Sequence, residues 1–527
     1  MKESIKSKID KLKEFIKVHP YIYGLILSLF ISLFASFFFF SSVSPIFSGA
    51  KDFSYDVGSV DSNYFMYTGK RILAGDLPYI DFFDHKGVLV FYFNALGMLL
   101  GGKIGVFILN FIITFITCFN ITIAAKELFD NPLDITLVSL LFFVCLAATE
   151  GGNQNGFMSL PFVPLPLAFY LRAIRLQNKD QENNRKKIRL YYLLGSLLAG
   201  LEIGIAFNVR PSDGVVCAAL FVAYFVMWIK HRYKWDLIFN ASAAILGFAI
   251  PVAIIWSAAY VSGYLDAMID ANFVQSSKYA FGFTSSLTIF SQVLIVLWTS
   301  FALFFMIRLL VKGKKEHKDL ALLFITLTSV NAIPNFIYAK YVQYFFTAFP
   351  YMVLLLATII RLYPLKKKEH KKPFMLDKIV IYFSAIFPLI GGVGTTSFYY
   401  SGAVNQYSYK YSQGIKNEII DTIPKEAFNK DNNVYFLNVN AAALLWFNDN
   451  TDCAYQSYQS WHSAFDNNVE GAVYDYLVTY KPEFIVRGKN GEGLEKPYSF
   501  IKFIEGNYKD ITPTNIDNEI TIYQINI

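Results

Sequence analysis

The hydrophobic and polar positions divide the chain into three stretches. In residues 1–20, Ile5, Ile9, Leu12 and Ile16 fall on one helical face with Lys on the others. That pattern predicts an amphipathic helix lying on the cytoplasmic leaflet. The apolar run Tyr21–Val43 is too long for a cleavable signal and lacks a small-residue cleavage pattern, so it reads as a first membrane span running outward. A polar stretch, 44–86, follows, and after it apolar runs of about 18–24 residues recur, long enough to cross a ~30 Å hydrocarbon core. Unpaired backbone amides are not tolerated in lipid, so these runs must be helices. From about residue 400 the runs shorten to four to six residues, and Asn, Asp and Lys become common.

Spans are predicted near 104–125, 135–149, 157–174, 191–208, 214–229, 237–260, 286–308, 320–338, 342–361 and 378–399, eleven with the first. The piece 87–101, about 15 residues ending Gly101-Gly102, is too short and is expected as a juxtamembrane or re-entrant helix on the outer side. Val434–Val439, Phe484–Val486 and Ile520–Ile525 read as strands and 467–480 as a helix. The expected fold is therefore mainly α: a polytopic bundle over 21–399 and a small extracytoplasmic α/β domain over 400–527, large enough for its own core.

Composition agrees with a membrane protein. Charged residues are 17% of the chain, against about 25% in soluble domains, and mean hydropathy is positive. The net charge of +7 is segregated: residues 400–527 carry −6 and the remainder +13. This excludes a nucleic-acid footprint and marks topology. The basic loops at 172–190, 230–236, 308–319 and 361–378 belong in the cytoplasm under the positive-inside rule, provided 87–101 does not cross. The four Cys (Cys118, Cys145, Cys217, Cys453) show neither disulfide nor zinc spacing and read as small packing residues.

With that topology the outer face comprises 44–86, the turn 150–156, the turn at Arg210–Asp213, the loop 261–285, the turn Tyr338–Tyr341 and the tail. The stretch 44–86 holds six Asp (Asp52, Asp56, Asp61, Asp76, Asp81, Asp84) beside Lys51, Lys70, Arg71 and Lys86. An enzyme on that face has no nucleotide sugars, so an activated sugar must arrive on a lipid carrier. Its transfer needs a carboxylate to take the acceptor's proton and fixed positive charge for the leaving phosphate. Asp61 or Asp56 can supply the first; Lys86, Arg210 and Lys340, with His85 beside them, can supply the second. Glu150, Asn153, Asn331, Asn335, Gln343 and Tyr344 can meet sugar or acceptor hydroxyls. Each has a plainer reading. Loop acids are usually solvated, Lys86 and Arg210 can be snorkelling anchors, and Gly151-Gly152-Asn153 more often makes a tight turn than a phosphate nest. His85 has no metal partner at ligand spacing; a divalent cation stays open as a cofactor.

The order of a short cytoplasmic N-terminus, a first span and a long acidic outer loop is followed by Gly75-Asp76-Leu77-Pro78-Tyr79 and Asp84-His85-Lys86-Gly87, leading into an apolar helix. It resembles the bacterial GT-C superfamily of polytopic glycosyltransferases, the group related to protein O-mannosyltransferases and aminoarabinose lipid A transferases. The resemblance covers about 1–400, is strongest in 55–101 and Glu150–Ser159, and extends to Tyr480–Val486. It implies a catalytic Asp in the first outer loop, Asp61 by position and Asp56 next, followed by juxtamembrane helices. Two positions depart from the pattern: Ser62 where many relatives have Glu, and Gly156 where relatives often carry an acid.

The expectation is an inverting glycosyltransferase of the bacterial cytoplasmic membrane, moving a sugar from a polyprenyl phosphate to a cell-envelope glycan or glycolipid. The rivals are a lipid-linked sugar flippase or transporter, which needs ionisable positions mid-span, and a non-catalytic envelope-binding protein that works through its tail. Few charges fall mid-span, Glu202 being the exception.

Overall fold

Pro20 opens the first described helix, α1 (Pro20–Phe38). Proline is favoured there because its φ is already helical and its missing N–H is not needed. Small side chains, Ser28, Ser32, Ala35 and Ser36, line its buried side, while Leu25, Ile26, Leu29 and Phe30 stay exposed. This inverted amphipathicity suits lipid, where small residues let helices approach and large apolar ones face acyl chains. The computed structural model describes residues 14–15, 18–40, 42–46, 60–146, 152–179, 182–231, 234–277, 286–338, 347–362, 417–430, 432–439, 445, 469–488, 499–513 and 520–526.

The stretch expected as a polar loop contains a helix, α2 (Val60–Ala74). It was hidden because its mean hydropathy is low, yet Tyr64, Phe65, Met66 and Tyr67 are all buried. Gly75, at φ 110, ends it. The short apolar piece is α3 (Val88–Gly101), whose 14 residues reach about 21 Å. Gly101 and Gly102, both at positive φ, turn the chain into α4 (Lys103–Leu128), which is followed by α5 (Pro132–Leu146).

The span expected at 157–174 starts later. A 3-10 turn occupies Asn155–Ser159, and α6 runs Pro164–Lys179. Pro161, Pro164 and Pro166 confine the helix to positions where proline belongs to a first turn. Next come α7 (Arg185–Val209), α8 (Pro211–His231) and α9 (Lys234–Val261). α7 and α9 cross closely: a Cβ on Gly200 would lie 2.0 Å from the Ala244 carbonyl oxygen. A short α10 (Leu265–Ile269) passes into a π-helical segment, Asp270–Gln275, and then come α11 (Ser286–Lys312), α12 (Lys315–Tyr338) and α13 (Phe349–Leu362).

Among the described residues, six helices are long and apolar enough to cross a membrane: α1, α4, α7, α8, and the stretches Asp236–Val261 and Ile295–Lys312. α3, α5 and α13 are apolar but shorter. These six support a membrane protein with several spans; the expected count of eleven is not reached among the described residues, and the span expected at 378–399 lies outside them.

The tail builds a four-stranded mixed sheet from β1 (Val434–Leu437), β2 (Phe484–Gly488), β3 (Tyr508–Asp510) and β4 (Ile520–Ile525), in the order β1-β2-β4-β3. β1 and β2 are parallel and are joined through α14 (Val469–Tyr480); β4 pairs antiparallel with β2 and with β3. α15 (Ser499–Asn507) precedes β3. The strands and helix expected there all occur; β3 and α15 add to them.

Candidate functional site

The loop between α2 and α3 is fastened from within. Arg71 Nε donates to Asp76 Oδ2 at 2.6 Å, and Leu77 N donates to Asp81 Oδ2 at 2.7 Å. Two of the six acids therefore shape the loop. Tyr79 sits at φ 67, a conformation that a bulky residue holds only when its surroundings over-determine it. Burial pushes its phenol well above the usual range, so it keeps its proton. The phenol donates to the Lys86 carbonyl oxygen at 2.7 Å, and Asn272 Nδ2 donates to the phenol oxygen at 3.2 Å. Ser276 Oγ donates to the His85 carbonyl oxygen at 3.0 Å. The π-helical segment and the residue that follows it thus grip the loop from about 190 residues away, and π-segments recur at functional sites.

Asp84 is fully buried and lies 3.4 Å from Lys86 Nζ and 3.3 Å from His85 Nδ1. The Lys86 ammonium also stands 5.2 Å from the Phe65 ring centroid, a cation–π arrangement. Burial pulls the Lys86 ammonium down, but the Asp84 and Asp61 carboxylates outweigh it against the opposing Arg210, and it ends raised. The imidazole of His85 is shifted down by burial and by Lys86, against Asp84 and Asp61. Asp61, in the first turn of α2, is therefore an electrostatic neighbour of both.

Arg210 joins the same cluster through the backbone. Gly87 N donates to the Val209 carbonyl oxygen at 2.8 Å, and a Cβ on Gly87 would lie 2.1 Å from the Asn208 carbonyl oxygen. Only glycine allows this approach, and it sets Lys86 beside the end of α7, where Arg210 begins. Arg210 Nε donates to Asp213 Oδ1 at 2.9 Å, with a second bond from Nη2, and the Asp213 side chain is 1% exposed. Gly156 closes the far side: its Cβ would lie 3.3 Å from Asp213 Oδ2 and 3.7 Å from Arg210 Nη2.

Asn153 is fully buried, at φ 55, in a tight turn with Gly152. Its amide nitrogen donates to Asn94 Oδ1 at 2.9 Å and Ser62 Oγ at 3.1 Å, and its backbone N–H donates to Asn110 Oδ1 at 3.1 Å. Expected as a sugar ligand, it ties α2, α3 and α4 together through these bonds and so positions Asp61, the neighbour of Ser62. Asp56, Glu150, Lys340, Gln343 and Tyr344 lie outside the described residues, as does the Asn335 side chain. Asn331 is buried.

The structure thus brings together Asp61, His85, Lys86 and Arg210, and adds Asp84 and Asp213. Asp213 had a legible signal, an acid three residues after Arg210 at a helix start. Asn272 and Ser276 had none. Among the described residues no group of three or more His, Cys, Asp or Glu could hold a metal ion. No protein-family model matches the chain, and no curated protein sequence matches it.

Proposed function

We propose that this chain is a membrane glycosyltransferase that moves a sugar from a polyprenyl phosphate to a cell-envelope glycan or glycolipid on the outer face. The observation that carries the reading is that the Asp61 carboxylate and the Arg210 guanidinium both act electrostatically on the buried Lys86 ammonium, so that charges from positions 61, 86 and 210 share one region. Asp61 takes the proton from the acceptor hydroxyl. The acceptor oxygen attacks the anomeric carbon from the side opposite the phosphate. The carbon–oxygen bond to phosphate breaks with inversion, and Lys86 and Arg210 hold the departing polyprenyl phosphate. Asp213 bears on the departures in sequence: it brings a carboxylate against Gly156, in the turn where an acid is expected from the resemblance.

The test is Asp61→Asn in the purified full-length protein, assayed for polyprenyl phosphate release and sugar transfer. The expected loss is about 10²–10⁴-fold with an unchanged unfolding temperature. Full activity in a folded Asp61→Asn protein removes Asp61 from the role, and labelling of a cysteine at 61 from the cytosol alone removes the reading.

A flippase or transporter is the second reading, favoured by Glu202, a carboxylate 1% exposed within α7. Sugar-lipid translocation in vesicles without transfer would select it.

A further inference from the structure

At the end of α7 opposite Arg210, three helices enclose a pocket. Arg185, Ile188, Arg189 and Tyr192 line it from α7, α8 adds Met227 and Trp228, and α9 adds Asp236. The α7 residues recur at i, i+3, i+4 and i+7, so they share one face of the helix. Ile188, Tyr192 and Met227 are buried, whereas Arg185 and Arg189 are exposed. The pocket thus has an apolar interior and a cationic mouth. Its enclosed space is only about 10 Å³, so an occupant larger than water sits at the mouth.

The charge at that mouth runs against the helix. Arg185, Lys186, Lys187 and Arg189 fall in the first five residues of α7, and no acid stands in its first turn. A helix start already carries about half a positive charge, which disfavours further cations there. Arg189 is held by Asp236 at 2.9 Å. Arg185, Lys186 and Lys187 form no ion pair among the described residues. Three unpaired cations on a helix start are relieved by an anion from outside the chain.

The surroundings decide which anion. Leu190 and Leu193 on α7, Ile229 on α8, and Ile238 and Phe239 on α9 are exposed. On membrane-crossing helices such residues face acyl chains. Trp228 is half-buried in the pocket wall, and Trp and Tyr gather at the headgroup level. A basic residue that only sets topology needs no such pocket beneath it. A soluble phosphate would meet the cations and gain nothing from the apolar surface. A lipid phosphate gains from both, since an arginine fork matches phosphate oxygens and the chains cover exposed apolar area.

We infer that Arg185, with Lys186 and Arg189, binds the phosphate of an anionic phospholipid in the leaflet opposite the Arg210 cluster. The acyl chains lie along the exposed apolar residues of α7 and α9. The inference does not depend on sugar transfer.

The experiment titrates the purified full-length protein, in detergent micelles, with dioctanoyl phosphatidylglycerol. Binding is read by native mass spectrometry and by unfolding temperature. Two comparison ligands separate the contributions: dioctanoyl phosphatidylcholine has the same chains without net charge, and glycerol phosphate has the anion without chains. The expected result is one saturable phosphatidylglycerol per chain, with both comparison ligands weaker by about tenfold. Arg185→Gln, a change at an exposed side chain, should weaken phosphatidylglycerol by about tenfold. Lys314→Gln, which removes an exposed cation outside the pocket, should leave binding unchanged. Equal binding of phosphatidylcholine overturns the site, and glycerol phosphate binding as tightly as the lipid overturns a lipid occupant. Unchanged binding in Arg185→Gln, or an equal loss in Lys314→Gln, also overturns it, because the attraction then belongs to the whole charged surface.

Discussion

Arg189 and Arg210 bracket the same helix, α7, and each pairs with an aspartate. Arg189 Nε lies 2.9 Å from Asp236 Oδ2, with side chains 47% and 17% exposed. The Arg210–Asp213 pair is 11% and 1% exposed. Other pairs are similarly open, such as Arg175 with Asp130 and Arg361 with Asp134. Around Arg210 the neighbours are Lys86, fully buried Asp84, and Asp61. Water screens the first group, so each pair is nearly independent. The second group is largely shielded from water, with Lys86, Asp84 and Asp213 buried and Arg210 and Asp61 partly so, and its members compensate one another. A helix of 25 residues, about 37 Å long, thus separates a solvated charge belt from a desolvated cluster. Desolvated opposite charges held in place are what stabilises charge developing in a reaction.

The most severe test removes one charge from each end. Arg210→Ala leaves the Asp213 carboxylate buried without its cation, at a cost of about 3–5 kcal/mol. Arg189→Ala should cost at most about 1 kcal/mol. Unfolding temperatures of the two full-length variants check this, and equal losses would break the contrast. Next is Gly87→Ala, whose methyl group meets the Asn208 carbonyl oxygen. We expect about 3 kcal/mol of destabilisation and a displaced Lys86. Asn153→Ala follows, at about 2 kcal/mol, because Asn94 and Ser62 lose a buried donor. Its loss of activity should exceed that of an equally destabilising change in the tail, since it unpins the helix carrying Asp61.

The smallest effect is one of pH. His85 is held below its ordinary pKa of about 6.5 by burial and by Lys86. Between that value and the lower folded one, the unfolded chain binds a proton that the folded chain refuses. Stability therefore falls as pH drops below about 6.5, with a slope under about 1.4 kcal/mol per unit. His85→Asn should flatten that part of the curve; an identical profile in the variant would show that His85 does not sense the cluster.

Much of the scaffold was legible in the residues. The α4, α7 and α9 runs are apolar over about 18–24 residues, and short β-branched and aromatic runs announced β1, β2 and β4. α2 was not legible, because six Asp in 44–86 masked a buried Tyr64–Tyr67 face that only its packing reveals. Lys86 and Arg210 could be named as cations at span ends. Their pairing with Asp84 and Asp213, and the structural role of Asn153, could not.

By itself the sequence determined where the long apolar helices run, since lipid solubility and backbone hydrogen bonding are settled by stretches of neighbouring residues. It also determined where charge collects along the chain. Only the tertiary structure decided which charges meet out of water. Lys86 and Arg210 are joined by a glycine contact across about 120 residues, and the loop before them is held by Asn272 and Ser276 from farther still. Such meetings depend on how helices pack against one another, and hydropathy within a window carries no record of a partner that distant.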